Sequence, residues 1–399
     1  MLAAFGDPGH AFPAIALGRE LVGRGHTVCL ETWSKWRPFV EGEGIEFFPA
    51  PVYEVWPGDG GLSLKPYQAA VRAARETVEV VRAFDPEVVI ADILTVAAGL
   101  AAEIDERPLG TLIPHVFPVA EPGFPPYSIG ARLPRTALGA ALWRSMDPLV
   151  RKGVEQGRDQ LNETRRRVGL DPLPWVHGGI SRELAIVATF PQLEYPRAEW
   201  ERQVRVTGPL MWEQPFGDVE LPPGDDPLVL VAPSTSQDPE QRMLEAALDG
   251  LADEPVRVLA TYNRRPPPRP LRVPPNARLV EWVSYARTMP LCAAVVCHAG
   301  HGTLMRALSS GVPVVACPAA GDMGENAARV SWAGVGVSLP RRMATPRGVR
   351  LAVRRVLATP RFASGARRLA DWARAHDGAA AAAAAVEELA ATRARSGAA

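Results

Sequence analysis

Residues 294–330 read AVVCHAGHGTLMRALSSGVPVVACPAAGDMGENAARV, an alternation of apolar runs with small and polar residues. Ala293 to Cys297 has the apolar character of a buried strand, and His298-Ala299-Gly300-His301-Gly302-Thr303 follows as a turn. Leu304 to Leu308 continues as a helix, and Val312 to Cys317 is the next strand. Strand, turn, helix and strand in this order are the repeat of a parallel sheet covered by helices. Ligands of such sheets gather outside the carboxyl ends of the strands. Gly300 and Gly302 let backbone donors approach a ligand, Thr303 adds a hydroxyl, and the helix N-terminus favours an anion. His298 can donate a hydrogen bond to a diphosphate oxygen. The turn lacks the Gly-Lys-Ser/Thr ending of a P-loop and the GxGxxG dinucleotide fingerprint. Farther along, Asp322 can accept hydrogen bonds from sugar hydroxyls, and Asn326 can bond phosphate or sugar; turn and cap duty is the competing role for both. Trp282, just upstream, offers a flat face to a nucleobase or packs in the core.

The same rhythm extends in both directions. Leu228 to Ala232, Val256 to Ala260 and Ala277 to Trp282 supply further strands of the second half, with Pro266 to Pro275 as a loop among them. Trp212 to Asp226 contains three prolines, two glycines and five acidic residues, which marks a boundary. Before it, strands are expected at Leu2–Phe5, Thr27–Glu31, Ile45–Pro49, Val88–Ile90 and Leu109–Ile113. Helices are expected at about Phe12–Gly23 and Pro66–Phe84, and from Leu94 to about Glu106. The expected organisation is an α/β chain with an N-terminal Rossmann-like domain over 1–212, a linker over 213–226, a second Rossmann-like domain over 227–375 and a helical segment over 376–399. A length of 399 residues fits two cores better than one.

In the first half, Asp7-Pro8-Gly9-His10 follows the first strand as a turn, and Asp92 follows a buried strand in VVIADILTVAAG. A histidine takes a proton near neutral pH when a neighbour holds its tautomer, and an aspartate accepting the ring N–H does this. The competing role for Asp92 is an N-cap of the next helix. Val119 to Pro134 is rich in proline interleaved with aromatic residues, so it is neither helix nor central strand. It reads as a surface loop or as the wall of a ligand cleft. Phe12, Phe117, Phe124, Tyr127 and Trp143 are the apolar side chains expected against an acceptor, with core or a dimer surface as the competing place for the Phe117 to Tyr127 region and Trp143.

Lys plus Arg and Asp plus Glu both total 44, and the short basic runs at Arg151 and Arg165 suit solvated helix faces. No nucleic-acid partner is expected. Four cysteines without a CxxC pair are expected as free thiols in a reducing compartment. The N-terminus has no charged-then-apolar leader and no stretch reaches about 18 apolar residues, so a cytoplasmic protein without stable membrane insertion is expected. Monomer and homodimer are both open.

The opening pattern GxPGHxxPxxxLxxxLxxRGHxV is matched by Gly6, Pro8, Gly9, His10, Pro13, Leu17, Leu21, Arg24, Gly25, His26 and Val28 with small spacing allowances. Together with Trp282 to Val330, it resembles the family 1 glycosyltransferases, especially bacterial antibiotic and natural-product enzymes, over nearly the whole chain. The resemblance implies a GT-B fold, with the acceptor in the N-terminal domain and a dTDP- or UDP-sugar in the C-terminal one. It implies His10 as catalytic base, Asp92 as its orienting acid, and Trp282 and Val283 at the nucleobase. His298, Gly300, Gly302 and Thr303 correspond to the diphosphate turn, Asp322 and Asn326 to sugar contacts, and Ser234, Thr235 and Ser236 to a hydroxyl-rich loop near the phosphates. The nucleotide sugar is then a co-substrate, and no cofactor or metal is required.

Two positions depart from the pattern. Arg306 replaces a ribose-binding glutamate common in relatives, and Met323 replaces a glutamine. The implied activity is inverting transfer of a hexose or deoxyhexose to a hydroxyl of a small hydrophobic acceptor. The competing functions are a nucleotide-sugar epimerase of the same fold, which acts without an acceptor, and a non-catalytic partner that retains the fold.

Overall fold

A computed structural model describes residues 1–51, 66–127, 129–234, 238, 240–319 and 321–397. The first half contains β1 (Leu2–Ala3), α1 (Pro8–Gly23), β2 (Cys29–Thr32), α2 (Arg37–Gly42), β3 (Glu46–Pro49), α3 (Pro66–Phe84), β4 (Val89–Asp92), α4 (Val96–Ile104), β5 (Leu109–Ile113), α5 (Ala137–Arg167), β6 (Leu184–Val187) and β7 (Val204–Val206). The second half contains β8 (Leu228–Ala232), α6 (Arg242–Leu251), β9 (Arg257–Thr261), β10 (Ala277–Val280), α7 (Tyr285–Thr288), β11 (Ala294–Cys297), α8 (His301–Ser309), β12 (Val314–Ala316), α9 (Met323–Ala333), β13 (Gly336–Ser338), α10 (Pro346–Ala358), α11 (Pro360–Ala375) and α12 (Gly378–Gly397).

Among the described residues the strands form two sheets, ordered β3-β2-β1-β4-β5-β6-β7 and β10-β9-β8-β11-β12-β13. Every pairing is parallel. Central strands such as β8 and β11 are apolar throughout and wholly buried, as a sheet covered on both faces requires. Each sheet has one place where successive strands run to opposite sides, between β1 and β4 and between β8 and β11. The crevice outside such a switch point is where ligands bind.

Several expected boundaries move. α1 begins at Pro8, four residues before the expected Phe12, so His10 lies in its first turn rather than in a preceding loop. Two prolines competed for the first-turn role; Pro8 takes it after the extended Asp7, and Pro13 falls inside the helix. β6, β7 and β13 were not anticipated, and of α5 only the basic runs at Arg151 and Arg165 were read as helix. The three strands have only three or four residues each, and α5 carries Pro148. Residues 119–134 and 266–275 carry no helix or strand among their described positions.

The chain crosses between the sheets twice, through residues 207–227 and again from α11 to α12. On α12, Ala382, Ala383, Val386 and Leu389 join the apolar cluster around Ile15, Leu17 and Trp212, so this last helix belongs to the first sheet's core. Conversely, Val116, Phe190 and Leu193 enter the apolar cluster of the second sheet. Cys29, Cys297 and Cys317 are buried free thiols and Cys292 is half-buried. No described helix is long and apolar enough to cross a membrane.

Candidate active site

A cleft of about 300 Å³ lies between the two sheets' carboxyl edges, lined from both halves of the chain. From the first half come Asp7, Gly9, His10, Phe12, Pro114 and His115; from the second come Ser234, Trp282, His298, Gly300, Gly302, Thr303 and Asp322. A second hollow, of about 250 Å³, lies between α4 and α5, away from the second half of the chain. Only the first cavity has access to both switch points.

The first turn of α1 points the His10 ring at the end of β4. Its Nδ1 lies 2.9 Å from Asp92 Oδ1 and equally close to Oδ2. Asp92 has a side-chain exposure of 0%, against 18% for His10. The carboxylate also accepts the Phe5 N–H at 3.2 Å and the Leu94 N–H at 3.4 Å. With Nδ1–H directed at Asp92, His10 Nε2 carries the lone pair. Burial alone would lower the His10 pKa, but the charge and hydrogen bond of Asp92, helped by Asp322 and Asp7, raise it above the usual 6.5. Asp92 is not the cap of α4; that position is Thr95.

Across the cleft, α8 starts at His301 with Gly300 as its N-cap. His298 Nδ1 faces the Ala232 carbonyl at 3.2 Å. A Cβ on Gly300 would lie 2.2 Å from His298 Nε2, so glycine here makes room for the imidazole. A Cβ on Gly302 would meet nothing within 4 Å, which leaves an open lane to the helix N-terminus. Burial lowers the His298 pKa despite opposing contributions from the Ala232 carbonyl, Asp322 and Asp238. Asp322 precedes α9, and the Asn326 amide donates to it at 3.2 Å and to the Ala299 carbonyl at 3.0 Å.

Trp282 lines the cleft with the Arg264 guanidinium 4.7 Å from its ring centroid, and its buried Nε1 has no partner among the described residues. Ser234 is on the wall, while Thr235 and Ser236 lie outside the described residues. Phe12 touches the cleft but packs edge-on against Trp36 and Trp212, at 5.2 and 4.9 Å between centroids.

Other expected positions are placed differently. Val283 turns into the second sheet's core, because Trp282 takes the outward position beside it. Asn326 is 2% exposed and braces the turn rather than lining the cavity. Phe117 is buried against Ile113, Ala185 and Val187, with Arg197 over its ring. Phe124 packs on Tyr195 and Arg197, and Trp143 rides on α5; neither lines the cleft. Tyr127 packs against the second sheet's core and does not line the cleft, though its hydroxyl lies 3.1 Å from Nδ1 of His115, which does.

Sequence reasoning missed His115, His301, Glu213 and Tyr285. His301 Nε2 lies 3.2 Å from the Ala188 carbonyl and joins the halves of the chain, and burial lowers its pKa to about 4. Glu213 accepts the N–H of Ala286 at 2.9 Å and that of Tyr285, which fixes the linker beside Trp282. His301 stood in the quoted turn and was legible by position. The others depend on which strand ends meet.

Two parallel sheets whose switch points face one another across such a cleft define the GT-B fold. Residues 1–107 match the glycosyltransferase family 28 N-terminal domain, and residues 245–389 match the C-terminal domain of proteins like erythromycin biosynthesis protein CIII. The chain is 28% identical to 4'-demethylrebeccamycin synthase of Lentzea aerocolonigenes, over 94% of this chain and 96% of that protein. It is 29% identical to O-mycaminosyltylonolide 6-deoxyallosyltransferase of Streptomyces fradiae, over 98% and 97%. The solved structure of the calicheamicin glycosyltransferase CalG4 superposes with a TM-score of 0.73 at 25% identity, covering 97% of each chain. The protein is an enzyme and belongs to the family 1 natural-product glycosyltransferases.

Proposed function

We propose that the protein transfers a hexose or deoxyhexose from a dTDP- or UDP-sugar to a hydroxyl of a small hydrophobic or aromatic natural product, with inversion at the anomeric carbon. The observation that carries this reading is the His10–Asp92 pair opposite the open N-terminus of α8. His10 Nε2 takes the proton of the acceptor hydroxyl, and the oxygen attacks the anomeric carbon from the side opposite the diphosphate. The bond from that carbon to the phosphate oxygen breaks, and its electron pair leaves with the diphosphate. The α8 N-terminus, Thr303 and His298 stabilise the charge that builds there, while Asp92 stabilises the imidazolium. No metal enters this scheme, and chelation is expected to leave the rate unchanged.

Arg306 and Met323 support a dTDP-linked deoxysugar over UDP-glucose. Both line the cleft, and neither offers the hydrogen-bond acceptor that relatives place there for ribose or sugar hydroxyls. The Streptomyces fradiae relative is by name a 6-deoxyallosyltransferase.

His10→Ala is expected to lower transfer by about 10²-fold or more while dTDP affinity, read by calorimetry, stays unchanged. Undiminished acceptor turnover would remove His10 from the mechanism. Donor isomerisation without an acceptor would identify an epimerase instead.

A further inference from the structure

We propose that His115 is a second hydrogen-bond acceptor for the bound acceptor molecule, reading an O–H or N–H beside the hydroxyl that loses its proton to His10. This rests on the transfer reading above. His115 follows β5, the strand adjacent to β4, and Asp92 pairs with Leu112 in register. The strand pairing therefore brings His115 to the same sheet edge as the His10–Asp92 pair, and both rings line the cleft.

His115 Nδ1 lies 2.8 Å from the Val116 carbonyl and 3.1 Å from the Tyr127 hydroxyl. A carbonyl only accepts, so Nδ1 carries the ring proton and Nε2 carries the lone pair. Nε2 has no partner among the described residues. Burial keeps this imidazole neutral and outweighs the opposing pull of the Val116 carbonyl, Asp322 and Asp92; the charge of His10 acts with burial.

The first half of the chain thus presents two imidazole nitrogens that want a hydrogen, His10 Nε2 and His115 Nε2, on one wall of the cleft. The corresponding nitrogen of His298 stands on the opposite wall, in the turn before α8, so the molecule that meets both His10 and His115 is the acceptor rather than the sugar. The chemical class is a neighbouring diol or an ortho-dihydroxy aromatic. A mono-hydroxy analogue leaves His115 Nε2 desolvated and unpaired, which costs about tenfold or more in affinity.

The test uses the whole protein saturated with dTDP and two probes, 2,3-dihydroxynaphthalene and 2-naphthol, which differ by one hydroxyl. Wild type is expected to bind the diol at least about tenfold more tightly. His115→Ala is expected to erase that preference, and His115→Gln, which keeps a polar group near the Nε2 position, to retain part of it. A His115 that served structure alone would weaken both probes alike. Nitrogen-15 NMR of the wild-type imidazoles gives a reading that needs no variant: the diol moves the His115 Nε2 resonance and the mono-ol does not. Equal affinities in wild type, a preference that survives His115→Ala, or no binding of either probe overturns the proposal. Failure of the transfer reading shows separately, as loss of dTDP binding or of turnover with every nucleotide sugar.

Discussion

Asp92 acts on His10 in two ways that one substitution separates. It fixes the tautomer through Nδ1, and its charge raises the His10 pKa against the effect of burial. In the proposed mechanism His10 acts as a base only when neutral, so kcat/KM is expected to rise with pH through the folded pKa, above the usual 6.5. Asp92→Asn is expected to lower kcat by about 10²- to 10⁴-fold and to move that acidic limb to lower pH, as a pH–rate profile reads. A limb that stays in place would mean that Asp92 does not set the base.

His298 makes a second residue-level prediction. Its Nδ1–H is committed to the Ala232 carbonyl and burial keeps the ring neutral, so Nε2 can donate to a diphosphate only by gaining a proton. Binding of dTDP near pH 7.5 is expected to take up close to one proton, seen as a binding enthalpy that changes with the buffer's ionisation enthalpy. Buffer-independent enthalpies would separate His298 from the diphosphate.

At the scale of the element, β2 carries a carboxylate inside the sheet. Glu31 is 2% exposed, and its oxygens accept the Thr77 hydroxyl of α3 at 3.0 and 3.2 Å. Burial pushes its pKa from 4.5 to about 7, against the Thr77 bond that lowers it and with Glu76 adding to the rise. A raised carboxylate pKa means that the folded state holds the proton more tightly. Its stabilising contribution is complete below 4.5 and is lost as pH rises to about 7. The loss is about 3 kcal/mol at most. Glu31→Gln is expected to raise Tm at pH 8 and to leave it nearly unchanged at pH 4.5, as calorimetry over that range checks.

Across the whole molecule, the two halves are tied by a buried charge cluster behind the cleft. Arg329 on α9 pairs with Glu325 at 2.8 Å and with Glu194 of the first half at 3.4 Å, and it donates to the Leu193 carbonyl at 3.1 Å. Its guanidinium lies over the Tyr195 ring, and Glu194 in turn accepts the Phe117 N–H at 2.6 Å. Phe117, expected against the acceptor, is thereby held in the core as part of this tie. Truncating one member of a buried charge cluster leaves the others uncompensated, so Arg329→Met is expected to cost about 3–5 kcal/mol. A denaturant midpoint unchanged from wild type would show that the cluster adds nothing to the joint between the halves.

The alternation of apolar runs and turns was enough to read two parallel sheets, because strands buried on both faces must be apolar throughout. β5, β8 and α3 were legible to the residue. The placement of His10, Asp92 and the turn from His298 to Thr303 near the sheets' carboxyl edges was also legible, since each follows an apolar run, where local order predicts a ligand edge. The start of α1 was not, because two prolines suited its first turn and local sequence does not choose between them. Nor was the acceptor side. Phe117, Phe124 and Trp143 on that side, and Val283 at the expected nucleobase site, are apolar whether they face a ligand or a core, and only packing decides which. His115 and Arg329 owe their places to strand order and to the meeting of the two halves. The groups that give them their roles, His10 beside the one and Glu194 against the other, lie more than a hundred positions away in the chain, at separations that no sequence pattern encodes.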